Sequence, residues 1–179
     1  MPQRATEYPA IVKGCSVLAG LLARQLQALL ENRTELDAEI QKVFSLHPDR
    51  EIYESLPGAG KALEPRLAAA MGTNRDKYST AVEVQQFVGT APVAARSGKS
   101  YNVHRRLARP RFVMQAHVAF AAQTIQYCAW AATQYSAQRD HGNGHHAAVR
   151  PFAYKWDRIL FRCWKDRLPY EARCLKALQ

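Results

Sequence analysis

From Ile11 to Phe44 the apolar residues recur at three- and four-residue spacing, and that pattern commits the first quarter of the chain to helix. Cys15, Leu18, Leu22, Leu29, Leu36, Ile40 and Val43 fall on one seam close to a heptad repeat. Gln25 and Asn32 interrupt the same seam, so a coiled coil built on it is imperfect. A polar gap of this kind sets register or partner choice. The alternative is one arm of a helical hairpin folded on its own domain, and the spacing favours neither.

The remainder is punctuated into shorter helices. His47-Pro48 ends the first one, and Asp49 is placed to cap the next, which runs through Ile52, Tyr53 and Leu56. In LPGAGKALEPRLAAAMG an apolar-Pro-Gly-x-Gly joins two short helices, as in helix-hairpin-helix modules. Gly58 and Gly60 permit a tight backbone, and the next helix start offers free N–H groups to a phosphate, with Lys61 adding charge. A plain two-glycine turn explains this stretch nearly as well. Pro65 is expected to cost one helical hydrogen bond. Thr80 and Glu83 stand at capping-box distance, and Gly89 and Pro92 end the helix they begin. A loop is expected over 90–104, then one long helix from about Pro110 to Arg139 and a last one from about His146 to Arg167. Strand signals are weak throughout. The expected class is mainly α: a helical, partly coiled-coil arm over 1–48, then a compact helical domain over 49–179 with a helix-hairpin-helix-like element.

A hydrophobic share of 47% permits a core and excludes general disorder. The first residues lack a charged region followed by an apolar one, so no secretory signal is expected. No apolar run is long enough to span a bilayer. Cys15, Cys128, Cys163 and Cys174 are scattered without a CxxC pair. That points to reduced thiols in a cytoplasm, and away from zinc or a disulfide framework.

Charge points to a partner. Lys and Arg number 25 against 15 Asp and Glu, a formal +10. From Val84 to Arg139 no acid occurs, while Arg96, Lys99, Arg105, Arg106, Arg109, Arg111 and Arg139 do. A solvated face mixes its signs; a single-sign field this long fits an anionic partner, nucleic acid first. Ser97 and Ser100 lie inside it. A serine hydroxyl among cations could attack a phosphodiester, if a base or the local field activated it. Guanidinium groups would then stabilise the charge of the pentavalent transition state. From spacing alone, a phosphate-binding loop without chemistry explains the Ser-Gly better.

Other chemistry is less well supported. The acids form no nuclease-like cluster, and most fall on expected exposed helix faces, so metal-dependent phosphoryl transfer would borrow its metal site. His141, His145 and His146 read as an exposed turn. Trp130, Trp156 and Trp164 read as core before stacking platforms. Lys155, Arg158, Arg162 and Lys165 form a basic stripe on the last helix.

Four stretches, taken in order, resemble one family. They are LPGAGKALEPRLAAAMG, NRDKYSTAVEVQQFVGTAPVAARSGKS, RRLARPRFVMQAHVAFAAQTIQYCAWA and AVRPFAYKWDRILFRCW. Their ordered motifs are Pro-Gly-x-Gly, Arg-x-x-Tyr, Gly-x-x-Pro, Ser-Gly, a basic loop and Trp-rich final helices. They are similar, over roughly residues 20–178, to the C-terminal transposase domain of the IS116/IS110/IS902-type insertion-sequence family of serine-using, bridge-RNA-guided recombinases. The resemblance implies that Ser97 is the catalytic nucleophile, with Ser100 as the fallback, forming a phosphoserine link to a cut DNA strand. It implies nucleic-acid contacts from Arg96, Lys99, Ser100, Arg105, Arg106, Arg109 and Arg111; the alternative, a non-enzymatic helix-hairpin-helix-type nucleic-acid-binding module, rests on Gly58, Gly60, Lys61 and the overall charge. It implies DNA and a structured guide RNA as partners, homo-oligomers through the helical arm, and a bacterial cytoplasm with nucleoid association. In the family, magnesium is held by the acidic tetrad of a preceding RuvC-like domain. Neither that domain nor any cofactor or metal site is expected within these 179 residues.

Overall fold

The computed structural model describes residues 8–171. Most of the expected frayed start, and Cys174, lie outside them. The chain divides into two units between Val43 and Phe44.

The first unit is helix α1, which spans Pro9–Ser45 and passes its last two residues to the second unit. At 1.5 Å per residue it is about 55 Å long. The seam residues Leu18, Leu22, Leu29, Leu36, Ile40 and Val43 are all exposed in the single chain.

The second unit is mainly helical. It holds α2 (Arg50–Glu54), α3 (Gly60–Met71), a 3-10 turn (Arg75–Lys77), α4 (Ala81–Val88), α5 (Arg111–Thr124), α6 (Ala129–Asp140) and α7 (His145–Asp166). One antiparallel hairpin, β1 (Val93–Ser97) and β2 (Ser100–His104), stands between α4 and α5.

Helix α7 is the spine, and α4, α5 and α6 pack on it. Phe152, Trp156, Ile159, Leu160 and Cys163 form its apolar face as expected, and all are buried. Trp156 meets Phe120 of α5 edge-on at 5.0 Å and Trp130 of α6 at 5.2 Å. Its indole N–H donates to Thr124 Oγ1 at 2.9 Å, and Thr124 donates to the Ala121 carbonyl at 2.7 Å. Trp164 donates to the Gly72 carbonyl at 2.6 Å, which ties α7 to the end of α3. Fully burying an apolar side chain is worth about 1.5–3 kcal/mol. The aromatic spine therefore carries much of the stability.

Helix ends follow local chemistry in some places and tertiary contacts in others. Thr80 caps α4 by accepting from the Glu83 N–H, and Glu83 Oε2 accepts from the Ser79 N–H at 2.9 Å. Gly89 closes α4 in the left-handed region at φ +86. Pro65 lies inside α3 without ending it.

Four expectations need correction. Residues 90–104 hold a β-hairpin, not a plain loop. The single helix expected over 110–139 is two, separated at Ile125–Cys128, where the N–H groups of Ile125, Gln126 and Tyr127 turn to carbonyls three residues back. No glycine or proline marks that break; Thr124 is held there by Trp156. Asp49 makes no cap bond. Its carboxylate pairs instead with Arg75, whose guanidinium also lies 4.5 Å over the Trp164 ring. Finally, Asp49 and Asp157 are buried acids rather than members of an exposed face.

Candidate nucleic-acid interface

The Ser-Gly motif folds as the turn of the β1–β2 hairpin. Ser97 pairs with Ser100, leaving Gly98-Lys99 as a two-residue loop. Gly98 has φ +56, and Lys99 is not among the positive-φ residues. Glycine first, with positive φ, is the type II′ requirement, and that turn matches the twist of the strands it joins.

Register assigns the side chains to faces. Facing residues in an antiparallel pair project to the same side, and neighbours along a strand to opposite sides. One face therefore carries Ser97, Ser100, Asn102 and His104. The other carries Arg96, Tyr101 and Val103. Arg96 precedes Ser97 in sequence but leaves from the opposite face. Lys99 sits in the turn itself.

The two serines are distinguishable. Asn102 Nδ2 donates to Ser100 Oγ at 3.2 Å. Ser97 is exposed and its hydroxyl has no hydrogen-bond partner among the described residues. His104 shares its face but pairs with Val93 at the far end of the hairpin. Four residues of strand put it about 13 Å away, beyond hydrogen-bond reach.

The hairpin separates the predicted site into a tip and a base. Ser97, Lys99 and Ser100 occupy the tip, with Arg96 just behind. Arg105, Arg106 and Arg109 follow β2, and Arg111 opens α5. Strand length sets these groups about 13 Å apart. They cannot all hold one phosphate.

At the base the arginines converge. The Arg109 side chain crosses the bare face of Gly89, where a Cβ would collide with its Cδ. Burial holds the Arg109 guanidinium below its ordinary pKa, and the charges of Arg105, Arg150 and Arg111 push the same way. Nε and Nη1 of Arg109, and Nε of Arg106, are buried without partners. The unspent donors of Arg109 and Arg106, beside further arginines, suit an anion. Arg150, on α7, was missed by sequence reasoning. It lies far from the acid-free window, and its only signal was its place in AVRPFAYKW. Arg66 of α3 lies 5.6 Å from the Phe112 ring, beside Arg111 in sequence.

This contact yields a prediction. Gly89→Ala strains the backbone and displaces Arg109. We expect a loss of about 1–3 kcal/mol in urea unfolding, accompanied by weaker nucleic-acid binding.

In the Pro-Gly-x-Gly element, Gly58 serves packing. Gly58 has φ +75, and the Tyr127 ring lies against it, so a Cβ there would overlap the ring. Gly60 has φ +58 with open space around it. Lys61 lies close enough to Glu64 to oppose the rise in its pKa that burial and Glu54 produce. The basic stripe of α7 is largely engaged within the chain. Lys155 donates to Gln134 Oε1 at 2.9 Å, Arg162 pairs with Asp166 at 3.0 Å, and Lys165 donates to the Arg75 carbonyl at 2.7 Å. Among the described residues no group of three or more His, Cys, Asp or Glu could hold a metal ion. No helix among the described residues is long and apolar enough to cross a membrane.

Comparison with known proteins places this geometry in a lineage. Residues 50–136, from α2 into α6, match the transposase IS116/IS110/IS902 family. The chain is 29% identical over 167 residues to the IS117 mini-circle protein of Streptomyces coelicolor, covering 93% of this chain and 40% of that one. It is 29% identical over 172 residues to a protein of insertion element IS900 from Mycobacterium paratuberculosis, covering 94% and 43%. It is 36% identical over 154 residues to a protein of insertion element IS116 from Streptomyces clavuligerus, covering 82% and 37%. The chain thus spans about two fifths of the length of these relatives. Residues 50–136, which hold the serine hairpin together with Arg105, Arg106, Arg109 and Arg111, thus match the transposase IS116/IS110/IS902 family.

Proposed function

We propose that this chain is the serine-bearing, DNA-binding part of a transposase, and that Ser97 is its nucleophile. The observation that carries the reading is the exposed, unbonded Ser97 hydroxyl at a hairpin tip within an acid-free, cationic segment matched to a transposase family. In the reaction, Ser97 Oγ attacks a DNA phosphorus. An Oγ–P bond forms and a P–O bond to the neighbouring deoxyribose breaks. The departing deoxyribose oxygen leaves as a hydroxyl, and the serine proton passes to a base. When a hydroxyl of a second strand attacks the phosphoserine, the strands are exchanged and Ser97 is restored.

The base is not among the residues near Ser97, since His104 is out of reach. This fits a composite site in which a RuvC-like acidic domain, with its magnesium, completes the chemistry. A structured guide RNA selects the target in the same reading. The exposed seam of α1 supports pairing of two copies through the arm. The cations at the hairpin base hold the DNA backbone.

A trapping experiment tests the reading. The chain is mixed with magnesium and labelled nicked DNA, alone and with a full-length relative carrying the acidic domain. A protein–DNA adduct on a denaturing gel supports it. Tight binding with no adduct in either mixture overturns the nucleophile and leaves a binding module.

The arginine cluster gives a separate prediction. Arg150→Gln should weaken binding to all DNA sequences alike and lower the slope of log affinity against log salt by about one. A titration series in rising salt measures it. An unchanged slope would remove Arg150 from the interface.

A further inference from the structure

The foot of the hairpin is pinned from inside the core. Asp157 of α7 is fully buried. Its Oδ1 lies 2.7 Å from Nδ1 of His117 on α5, which is also buried. Its Oδ2 accepts the hydroxyl of Thr90. Thr90 lies three residues before β1. Its N–H, with those of Gly89 and Ala91, converges on the Gln85 carbonyl at 3.0–3.1 Å. Gln85 Nε2 in turn donates to the Tyr154 carbonyl at 2.7 Å, on the turn of α7 before Asp157.

The second foot meets the first. Arg109 lies across Gly89, immediately before Thr90. Beyond this junction almost nothing braces the hairpin: every residue from Ala94 to Ser97 and from Ser100 to His104 is exposed. A two-stranded hairpin exposed on both faces has little stability of its own. Its direction must come from its feet.

A buried carboxylate is costly to desolvate, and an apolar residue of similar size commonly stabilises a core as well or better. What Asp157 adds is a fixed acceptor for a loop. Nε2 of His117 has no partner, so the polar contact of His117 is with Asp157. Its ring holds the carboxylate in place, and the carboxylate holds Thr90.

We infer that Thr90, Asp157 and His117 are positioning residues, which set where the hairpin presents Ser97. For its meaning in strand transfer the inference rests on the serine reading above. For its physical content it does not.

The test uses the 179-residue chain, with amide hydrogen exchange followed residue by residue. Thr90→Val removes the hydroxyl and keeps the shape; Thr90→Ser keeps the hydroxyl. We expect Thr90→Val to speed exchange across 93–104 by about tenfold while amides of α5 and α7 stay within about twofold. Thr90→Ser should return the hairpin to near its original rates. Asp157→Asn, checked for folding by its melting curve, should resemble Thr90→Val. Unchanged hairpin exchange in Thr90→Val overturns the inference. So does acceleration of hairpin and core together, which marks a merely structural role.

A second arm reads the reaction, in the mixture with the full-length relative. Thr90→Val should lower the rate of adduct formation about tenfold or more at saturating DNA, with DNA affinity nearly unchanged. Adduct formation at the original rate overturns the positioning role. If no variant, nor the original chain, forms an adduct, the serine reading fails, and the exchange arm still decides whether Thr90 and Asp157 set the hairpin.

Discussion

Replacing Ser97 with alanine eliminates the covalent protein–DNA adduct and leaves DNA binding within about a factor of two. The first expectation follows from the chemistry. Alanine has no oxygen to attack phosphorus, and losing a nucleophile costs at least about a thousandfold in rate. The second follows from the structure, because Ser97 is exposed and holds nothing else in place. Substitutions at such sites usually change free energies by no more than about 0.5 kcal/mol. Ser100→Ala is the matching control. Ser100 shares the face of Ser97 and is bonded to Asn102, so its loss should spare the adduct. An adduct that survives Ser97→Ala and vanishes with Ser100→Ala would move the nucleophile by three residues. Both variants should melt at the original temperature.

Trp156→Ala should cost about 3–5 kcal/mol of stability, a large part of what a domain of this size possesses. Trp156 is fully buried among Phe120, Trp130 and Tyr170. Its removal opens a cavity and takes away the hydrogen bond that Thr124 accepts where α5 ends. Urea unfolding should show the midpoint falling sharply, with a melting temperature lower by roughly 10 °C. DNA affinity measured well below the new midpoint should change little. The opposite pattern, unchanged unfolding with lost DNA affinity, would make this tryptophan a stacking platform.

The helical class was legible because α4 and α7 announce themselves locally. Thr80 and Glu83 stand at capping distance, Gly89 supplies a left-handed stop, and the apolar stripe of α7 is continuous. The hairpin was harder to see. Its strands read VAARS and SYNVH, exposed on both sides, so no alternation of apolar and polar residues marks them. One signal was available: Ser-Gly-Lys-Ser places glycine where a type II′ turn needs it. The break between α5 and α6 had no local sign, since Thr124 acts there through a tryptophan 32 residues away.

The candidate site was legible in part. A long acid-free segment shows in a linear string, so the arginines around 105–111 and the two serines could be named. Arg150 could not, because only the packing of α7 brings it near Arg109. Nor could the role of Gly58, whose need for space comes from Tyr127. Asp157 resembled any acid on an amphipathic helix until its two partners were in view.

The hairpin that carries Ser97 acts as a lever. Its root lies by the Gly89–Arg109 crossing, and the strand beyond, from Val93 to Ser97, is an arm of about 13 Å. A tilt of about 10° at the fulcrum swings the serine through about 2 Å, while catalytic geometry tolerates well under 1 Å. If Ser97 is the nucleophile proposed above, small rearrangements at the root, such as a phosphate settling among the arginines, would be magnified where the bond is cut. On that reading, DNA gripped at the fulcrum would aim the nucleophile before touching it.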